Sequence, residues 1–408
     1  MNNIILIQRI AHAATGILFL FLVTNYLTIY EQGWYYAFLT LAGFYTLFDF
    51  GYSESLLHLS SSKTSNDEDL LRYSAPRYLK STIIFFILFA IVGYIFFSFQ
   101  DQNLPYNWTF IWLLLCLSSA TFLFLMPMFA ILQGAGHIKE VYFIKLLQNI
   151  SSILLFVIIV FYFVGLLATI AISISAVLVQ VVYLIKKHRR LFYIYIHSVL
   201  PKHSIELPKE KFIFHVGISW LAGYMITQFQ ILIIFIYLSV ELSGQFGLTL
   251  AMLNTILLIA SSKLHLSIPS MTQEATNKNH KILDHIYVKS IRELFQIYIS
   301  GVVIVSMLYF YEDLNILTSR MLSLDLMIFL AVAILVNQII GSMIIYTRSF
   351  LVDPLFKINS LSSLIILFLS TITIKTYGVY GPLMSLLGTQ LIIVLPWAIR
   401  SIIGIKNV

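Results

Sequence analysis

The chain has a single cysteine and few charges. Cys116 stands alone in "IWLLLCLSSA", so no disulfide can form within the chain and no metal site can be built on cysteines. Charged residues make up 11% of the 408 positions, where a typical soluble domain carries roughly 25%. A glycine-rich nucleotide loop is missing. So are a carboxylate pair placed for acid–base work and a cluster of residues at metal-ligand spacing. These absences weigh against an enzyme and imply no cofactor and no metal. What is abundant is apolar: 59% of the residues are hydrophobic, and the mean hydropathy is +0.90. A water-soluble fold cannot hide that much apolar surface, so the composition specifies an all-α, polytopic membrane protein. The start, "MNNIILIQRI", has no small-residue cleavage site after a short apolar core and reads as a retained first helix.

An apolar run of roughly 20 residues can cross the bilayer core. Twelve such runs are present, at about 10–29, 34–60, 81–100, 108–133, 141–163, 166–185, 212–238, 244–268, 289–311, 324–347, 355–374 and 379–402. The tightest break is "YFVGLLA" at 162–168, where one long apolar block divides into two helices. The net charge of +7 and pI near 9.2 would suggest nucleic acid in a soluble protein. Here the basic residues sort by side of the membrane instead. With the N-terminus inside, every one of the 25 Lys and Arg residues except Arg320 and Lys375 falls on the cytoplasmic side. The orientation that follows puts both termini in the cytoplasm, with residues 61–76, 186–211 and 272–288 on the same side. The outside loops are short, which leaves no room there for a catalytic domain. The long segment 186–211 divides the chain into expected six-helix bundles at 1–205 and 206–408, and its "LFYIYIH" suits the membrane surface.

The halves resemble each other weakly. Glu31 matches Glu241 at an offset of 210, and Gly33 matches Gly244 at 211; Tyr35 and Phe246 each follow two residues after the glycine. Gly165 and Gly378 are offset by 213. Six spans per half is an even number, so the halves would share one orientation. Parallel repeats of this kind build transporters whose site lies between the halves near the midplane.

"YEQGWYYAFLTLAGFYTLFDFGYSESLLHLSS" (30–61), "FAILQGAGHIKEVYFIKLLQNI" (129–150), "IIYTRSFLVDPLFKINSLSS" (344–363) and "YGVYGPLMSLLG" (377–388) resemble polysaccharide flippases. These form the O-antigen flippase, or Wzx-type, branch of the MOP superfamily, which also contains the MATE drug exporters. The resemblance runs end to end through loose motifs. It implies a two-bundle MOP fold and movement of an undecaprenyl-diphosphate-linked oligosaccharide from the cytoplasmic to the periplasmic leaflet of a bacterial inner membrane. It also implies coupling to H+ or Na+, with membrane lipid and other polysaccharide-assembly membrane proteins as partners and no nucleic acid. The turn "TRSFLVDP" departs from the family by lacking a Lys or His after the Arg.

Ionisable residues inside a membrane span are functional candidates by default. Asp49 lies roughly 24 Å along the second span at 1.5 Å of rise per residue, with Glu54 and His58 beyond it. Arg9 and His12 stand three apart on the first span, and Lys263 and His265 near the end of the eighth. Spans 1, 2, 7 and 8 line the central cavity in the family that the chain resembles. Arg9 and Lys263 are therefore candidate cations for a diphosphate, with His12, Gln228 and Asn254 as hydrogen-bonding groups for the sugars and Asp49 and Glu54 as ion-coupling acids. Arg9 or His12 is the expected partner of Asp49. The plainer reading makes Arg9 and Lys263 interfacial anchors, Glu54 and His58 a solvated helix end, and the amides helix–helix hydrogen bonds. Arg348 reads as an anchor closing the tenth span. A multidrug exporter of the MATE kind is the alternative function, disfavoured by cations in the cavity. A membrane-embedded polymerase or glycosyltransferase is the third, disfavoured by the short outside loops.

Overall fold

The computed structural model describes residues 2–61, 66–99, 107–163, 165–198, 210–311, 315–350 and 353–406, and all the regular structure among them is helical. Among the described residues, ten helices are long and apolar enough to cross a membrane, and Ala11–Tyr26 forms a shorter apolar helix. The remaining expected span, the second, is broken. Together these account for the twelve apolar runs in the sequence. The protein is a multi-pass membrane protein.

The chain divides into two compact units: Met1–Leu22 with Phe38–Gly217, and Val23–Ala37 with Ile218–Val408. In the first unit lie most of α1 (Asn2–Tyr26) and the end of α2 (Ile29–Ala42), then a 3-10 segment (Gly43–Asp49) and α3 (Tyr52–Ser61). They are followed by α4 (Asp67–Ser98), α5 (Trp108–Gly134), α6 (Ile138–Tyr162), a 3-10 turn (Gly165–Ile170), α7 (Ala171–Lys187) and the short α8 (Arg189–Ile196). The second unit holds the start of α2, then α9 (Glu210–Thr227, from Ile218 on), α10 (Phe229–Tyr237), α11 (Val240–Ala260), α12 (Ser262–Thr276) and α13 (His280–Leu308). The one-turn α14 (Asn315–Thr318), α15 (Leu324–Arg348), α16 (Phe356–Tyr377), α17 (Tyr380–Thr389) and α18 (Leu395–Lys406) complete it.

The outward faces of the helices are as apolar as the inward ones, and polar residues are turned inward. Along α16 the buried residues include Asn359, Ser362, Ser363 and Ser370, while Leu361, Leu364, Phe368 and Ile372 are exposed. Small polar residues let backbones approach and find partners inside, and the large apolar residues face lipid. Along α4 the exposed row is Ile83, Ile87, Ile91 and Ile95, one residue per turn on one stripe. The opposite face carries Phe85, Phe89, Gly93 and Phe97 into the first unit. There Trp112 of α5 covers Gly93, and its indole N–H donates to the Phe89 carbonyl at 3.2 Å. Phe38 packs edge-on against Phe97 with ring centroids 4.6 Å apart.

The run 34–60 is not one helix, as the hydropathy predicts. The α-helix stops at Ala42, a 3-10 segment follows, and Phe50 and Gly51 both take positive φ, 47° and 75°. A new helix starts at Tyr52, packed against protein: Ser60 Oγ donates to the Ile131 carbonyl of α5 at 3.0 Å and to Asp67 at 2.7 Å. The eighth run divides as well, at Ser261 between α11 and α12. The third is longer than hydropathy alone suggests, because Asn66 caps α4 by accepting from the Glu68 N–H. That cap places Arg72, Arg77 and Lys80 on the helix instead of in a loop. The break expected in "YFVGLLA" is present, with α6 ending at Tyr162 and an extended Phe163.

In the second unit α2 and α11 cross at unusually close range. A Cβ added to Gly244 would lie 2.7 Å from the Gly33 nitrogen and 3.0 Å from its Cα, and one added to Gly33 would collide with the Val240 carbonyl. Gln32 Nε2 then reaches the Gly244 carbonyl at 2.9 Å and the Arg320 carbonyl at 3.1 Å. The two glycines that suggested a repeat are thus each other's neighbours inside helices.

Candidate functional site

Within the first unit, α1, α2, the 3-10 segment, α5, α6 and α7 enclose a cavity of about 280 Å³. Its polar lining is His12, Tyr45, Ser119, Gln148, Asn149, Ser152 and Ser173, and its apolar lining includes Leu39, Leu115, Phe122 and Ile172. Among the described residues, no Asp or Glu lines it. His12 Nδ1 stands 3.5 Å from Asn149 Oδ1, which ties α1 to α6 at the edge of hydrogen-bond range. Gln148 Nε2 reaches the Ala176 carbonyl at 3.4 Å, and Ser118 bridges to Ser173 at 2.8 Å. Tyr45 packs edge-on against Phe122 with centroids 5.4 Å apart. The cavity therefore offers hydroxyls, amides, one imidazole and aromatic rings.

The sequence candidates are spread over several places. His12 lines this cavity. Arg9 is on α1 and Glu54 and His58 are on α3, but their side chains lie outside the described residues. Asp49 is buried, and its described partners are on α3 and α4. Oδ1 accepts the Ser53 N–H at 3.2 Å, Oδ2 accepts the Ser53 hydroxyl at 2.7 Å, and the Tyr78 hydroxyl donates to Oδ1. The expected pairing of Asp49 with Arg9 falls outside the described side chains, and His12 is bonded to Asn149 instead. Asp49 closes the first turn of α3, the satisfaction of orphan N–H groups that a helix start requires. Lys263, half-buried at the start of α12, forms an ion pair with Glu293 of α13. Gln228 joins α9 to α10, its N–H bonded to the Tyr224 carbonyl at 3.0 Å, and is half-buried. Asn254 is half-buried on α11.

Arg348 is more than an anchor. Its Nε and Nη2 both donate to Asp353 Oδ2, at 3.0 and 2.7 Å, and the Ser219 hydroxyl donates to the same oxygen at 3.1 Å. Asp353 is buried. Sequence reasoning missed this latch, although an Arg five residues before an Asp–Pro in "TRSFLVDP" is the signal that could have found it. It also missed Ser119, Ser152 and Ser173 in the cavity, because serines are scattered through most spans and nothing local distinguishes these.

No family model matches the sequence, and no curated protein matches it either. Solved structures do. An inward-facing multidrug resistance MATE family transporter of the MOP superfamily superposes with a TM-score of 0.68 over 98% of this chain and 96% of that one, at 13% identity. The fold is the MATE-type fold. An outward-facing conformation of a multidrug resistance MATE family transporter gives 0.60 over 98% and 95%, at 14% identity. A MOP superfamily transporter from Pyrococcus furiosus, described as having a binding pocket of reverse polarity that suggests a different function, gives 0.55 over 98% and 95%, at 11% identity. Identities this low carry the fold and not the substrate.

Proposed function

We propose that this protein is an alternating-access exporter in a bacterial inner membrane that moves an undecaprenyl-diphosphate-linked oligosaccharide to the outer leaflet. The observation that carries the reading is the cavity of the first unit, whose described lining is neutral hydrogen-bonding groups and aromatic rings without a carboxylate. A cationic drug leaving water needs a counter-charge, whereas sugar hydroxyls need donors, acceptors and ring faces. His12, Gln148 and Asn149 would bind sugar, with Gln228 and Asn254 as further hydrogen-bonding positions. Arg9 and Lys263 would meet the diphosphate. Lys263 meets the phosphate by exchanging its partner Glu293 for it, which keeps the lysine's charge compensated and leaves the partly exposed Glu293 carboxylate to solvent. Asp49 and Glu54 would couple transport to H+ or Na+. The MATE-like folds known in both inward- and outward-facing states support alternating access as the way of moving it.

The deciding experiment is complementation. The gene should restore surface polysaccharide to a flippase-null bacterial strain and leave the drug sensitivity of an exporter-deficient strain unchanged. The opposite pair of results would replace the oligosaccharide by a drug, in keeping with the multidrug transporters of the same fold.

A further inference from the structure

Away from the cavity, the turn between α5 and α6 meets the junction of α7 and α8 in a cluster that the sequence does not announce. His137 precedes α6, Glu140 lies in its first turn, and His188 stands between α7 and α8. Among the described residues these three are the group whose ligand atoms could converge on one ion, all within 4.8 Å of one another. Glu140 is their hub. Its Oε1 is 3.4 Å from His137 Nδ1 and its Oε2 is 3.4 Å from His188 Nε2. Lys187 Nζ is 2.7 Å from Oε1, and the Tyr183 hydroxyl donates to Oε2.

We infer that His137, Glu140 and His188 form a site for a divalent transition-metal ion of the zinc class. Zinc bonds of about 2.0–2.1 Å in tetrahedral geometry set neighbouring ligand atoms about 3.3 Å apart. The His137–Oε1 separation already has that value and His188 has it to Oε2, so a rotation of the carboxylate and closure of both imidazoles on one oxygen complete the set. Two imidazoles and one carboxylate are a borderline donor set that suits zinc better than calcium or magnesium. Three protein ligands leave a fourth position for water.

The neighbours fit the role. His188 is nearly buried, with 10% of its side chain exposed, and so is held in place, while Lys187 is 52% exposed on a flexible stem. The metal takes Oε1 and the lysine swings into solvent. Tyr183 keeps Oε2, an outer hydrogen bond of the kind that orients a ligating carboxylate. Without metal, the lysine ammonium occupies the place of the cation. Bound metal would pin the α5–α6 turn to the start of the surface helix α8.

The test uses the full chain, purified without a histidine tag in detergent micelles. Zn2+ is followed by calorimetry, and Co2+ by its visible absorption. Wild type should bind one Zn2+ saturably at neutral pH, and Co2+ should give a tetrahedral spectrum. Glu140→Gln and His188→Ala should each weaken binding at least about tenfold, since even outer-shell changes cost 10- to 100-fold. Lys187→Ala, at an exposed position outside the ligand set, should tighten it by removing the competing cation. Equal affinity in wild type, E140Q and H188A would place the bound ion elsewhere and overturn the assignment. So would the absence of saturable binding in both wild type and K187A, which would leave Glu140 as the centre of an ionic network alone. Circular dichroism on each variant separates a lost ligand from a lost fold.

Discussion

Asp49 is an acid deep in an apolar run, and two roles meet on it. Its oxygens satisfy the first turn of α3 and receive the Tyr78 hydroxyl. The proposed coupling role needs its charge as well. Asparagine caps a helix about as well as aspartate, so Asp49→Asn keeps an acceptor for the Ser53 N–H and the Tyr78 hydroxyl, turns the oxygen facing the Ser53 hydroxyl into an amide donor, and removes the charge. Its thermal unfolding in detergent should stay close to wild type. Under the coupling proposal its complementation should fall sharply. Full complementation at equal expression would reduce Asp49 to a cap. Arg348 and Asp353 make a separate case, because one partner is fully buried. Arg348→Ala strands the carboxylate and should cost about 3–5 kcal/mol, whereas replacing the pair by apolar residues of similar volume is often nearly neutral. Arg348→Met with Asp353→Leu should therefore unfold at a higher temperature than Arg348→Ala alone. A double variant no better than the single one would show that the latch is not an isolated charge pair.

At the level of elements, hydropathy located the spans but not their internal breaks. The break in the second span is written in "FDFGYS": Asp49 and Ser53 supply a cap, and Gly51 accepts the positive φ that Phe50 also adopts. A window average sees only apolar residues there, because the two phenylalanines outweigh the aspartate. The glycines of the apparent repeat were legible as special positions, yet their meaning was not, since contact between α2 and α11 is long-range. That contact is testable. Gly244→Leu forces a side chain into the Gly33 backbone. Overpacking of this kind costs typically about 1–3 kcal/mol, and here backbone must move, so the upper end applies. The expected result is a clear fall in unfolding temperature, while Gly223→Leu, at a glycine with open space around it, should be tolerated. Similar losses in both would mean that helix propensity, not close approach, sets the cost.

For the molecule as a whole, composition and charge sorting were enough to read a twelve-run, all-helical membrane protein, and the MATE-type fold agrees. The candidate site was harder to read. Its polar lining comes from five elements, and in a membrane protein serine, asparagine and glutamine serve helix packing as readily as binding. The His137–Glu140–His188 cluster shows the same limit, because half of it is a local His-x-x-Glu and the other half arrives 48 residues later. Orientation is the whole-molecule property that the sequence predicts most sharply. Nearly all the basic residues fall on one side when the N-terminus is cytoplasmic, and a cell inserts such loops on the inside. With Cys116 replaced, a cysteine at Asn277 or Lys186, both exposed, should resist an impermeant maleimide added to whole cells and react once the membrane is opened. A cysteine at the exposed Ser319, beside one of the two basic residues assigned outside, should react at once. Labelling of Asn277 or Lys186 from outside would reverse the topology. It would also move Arg9 and Lys263 to the far side from a substrate that enters from the cytoplasm.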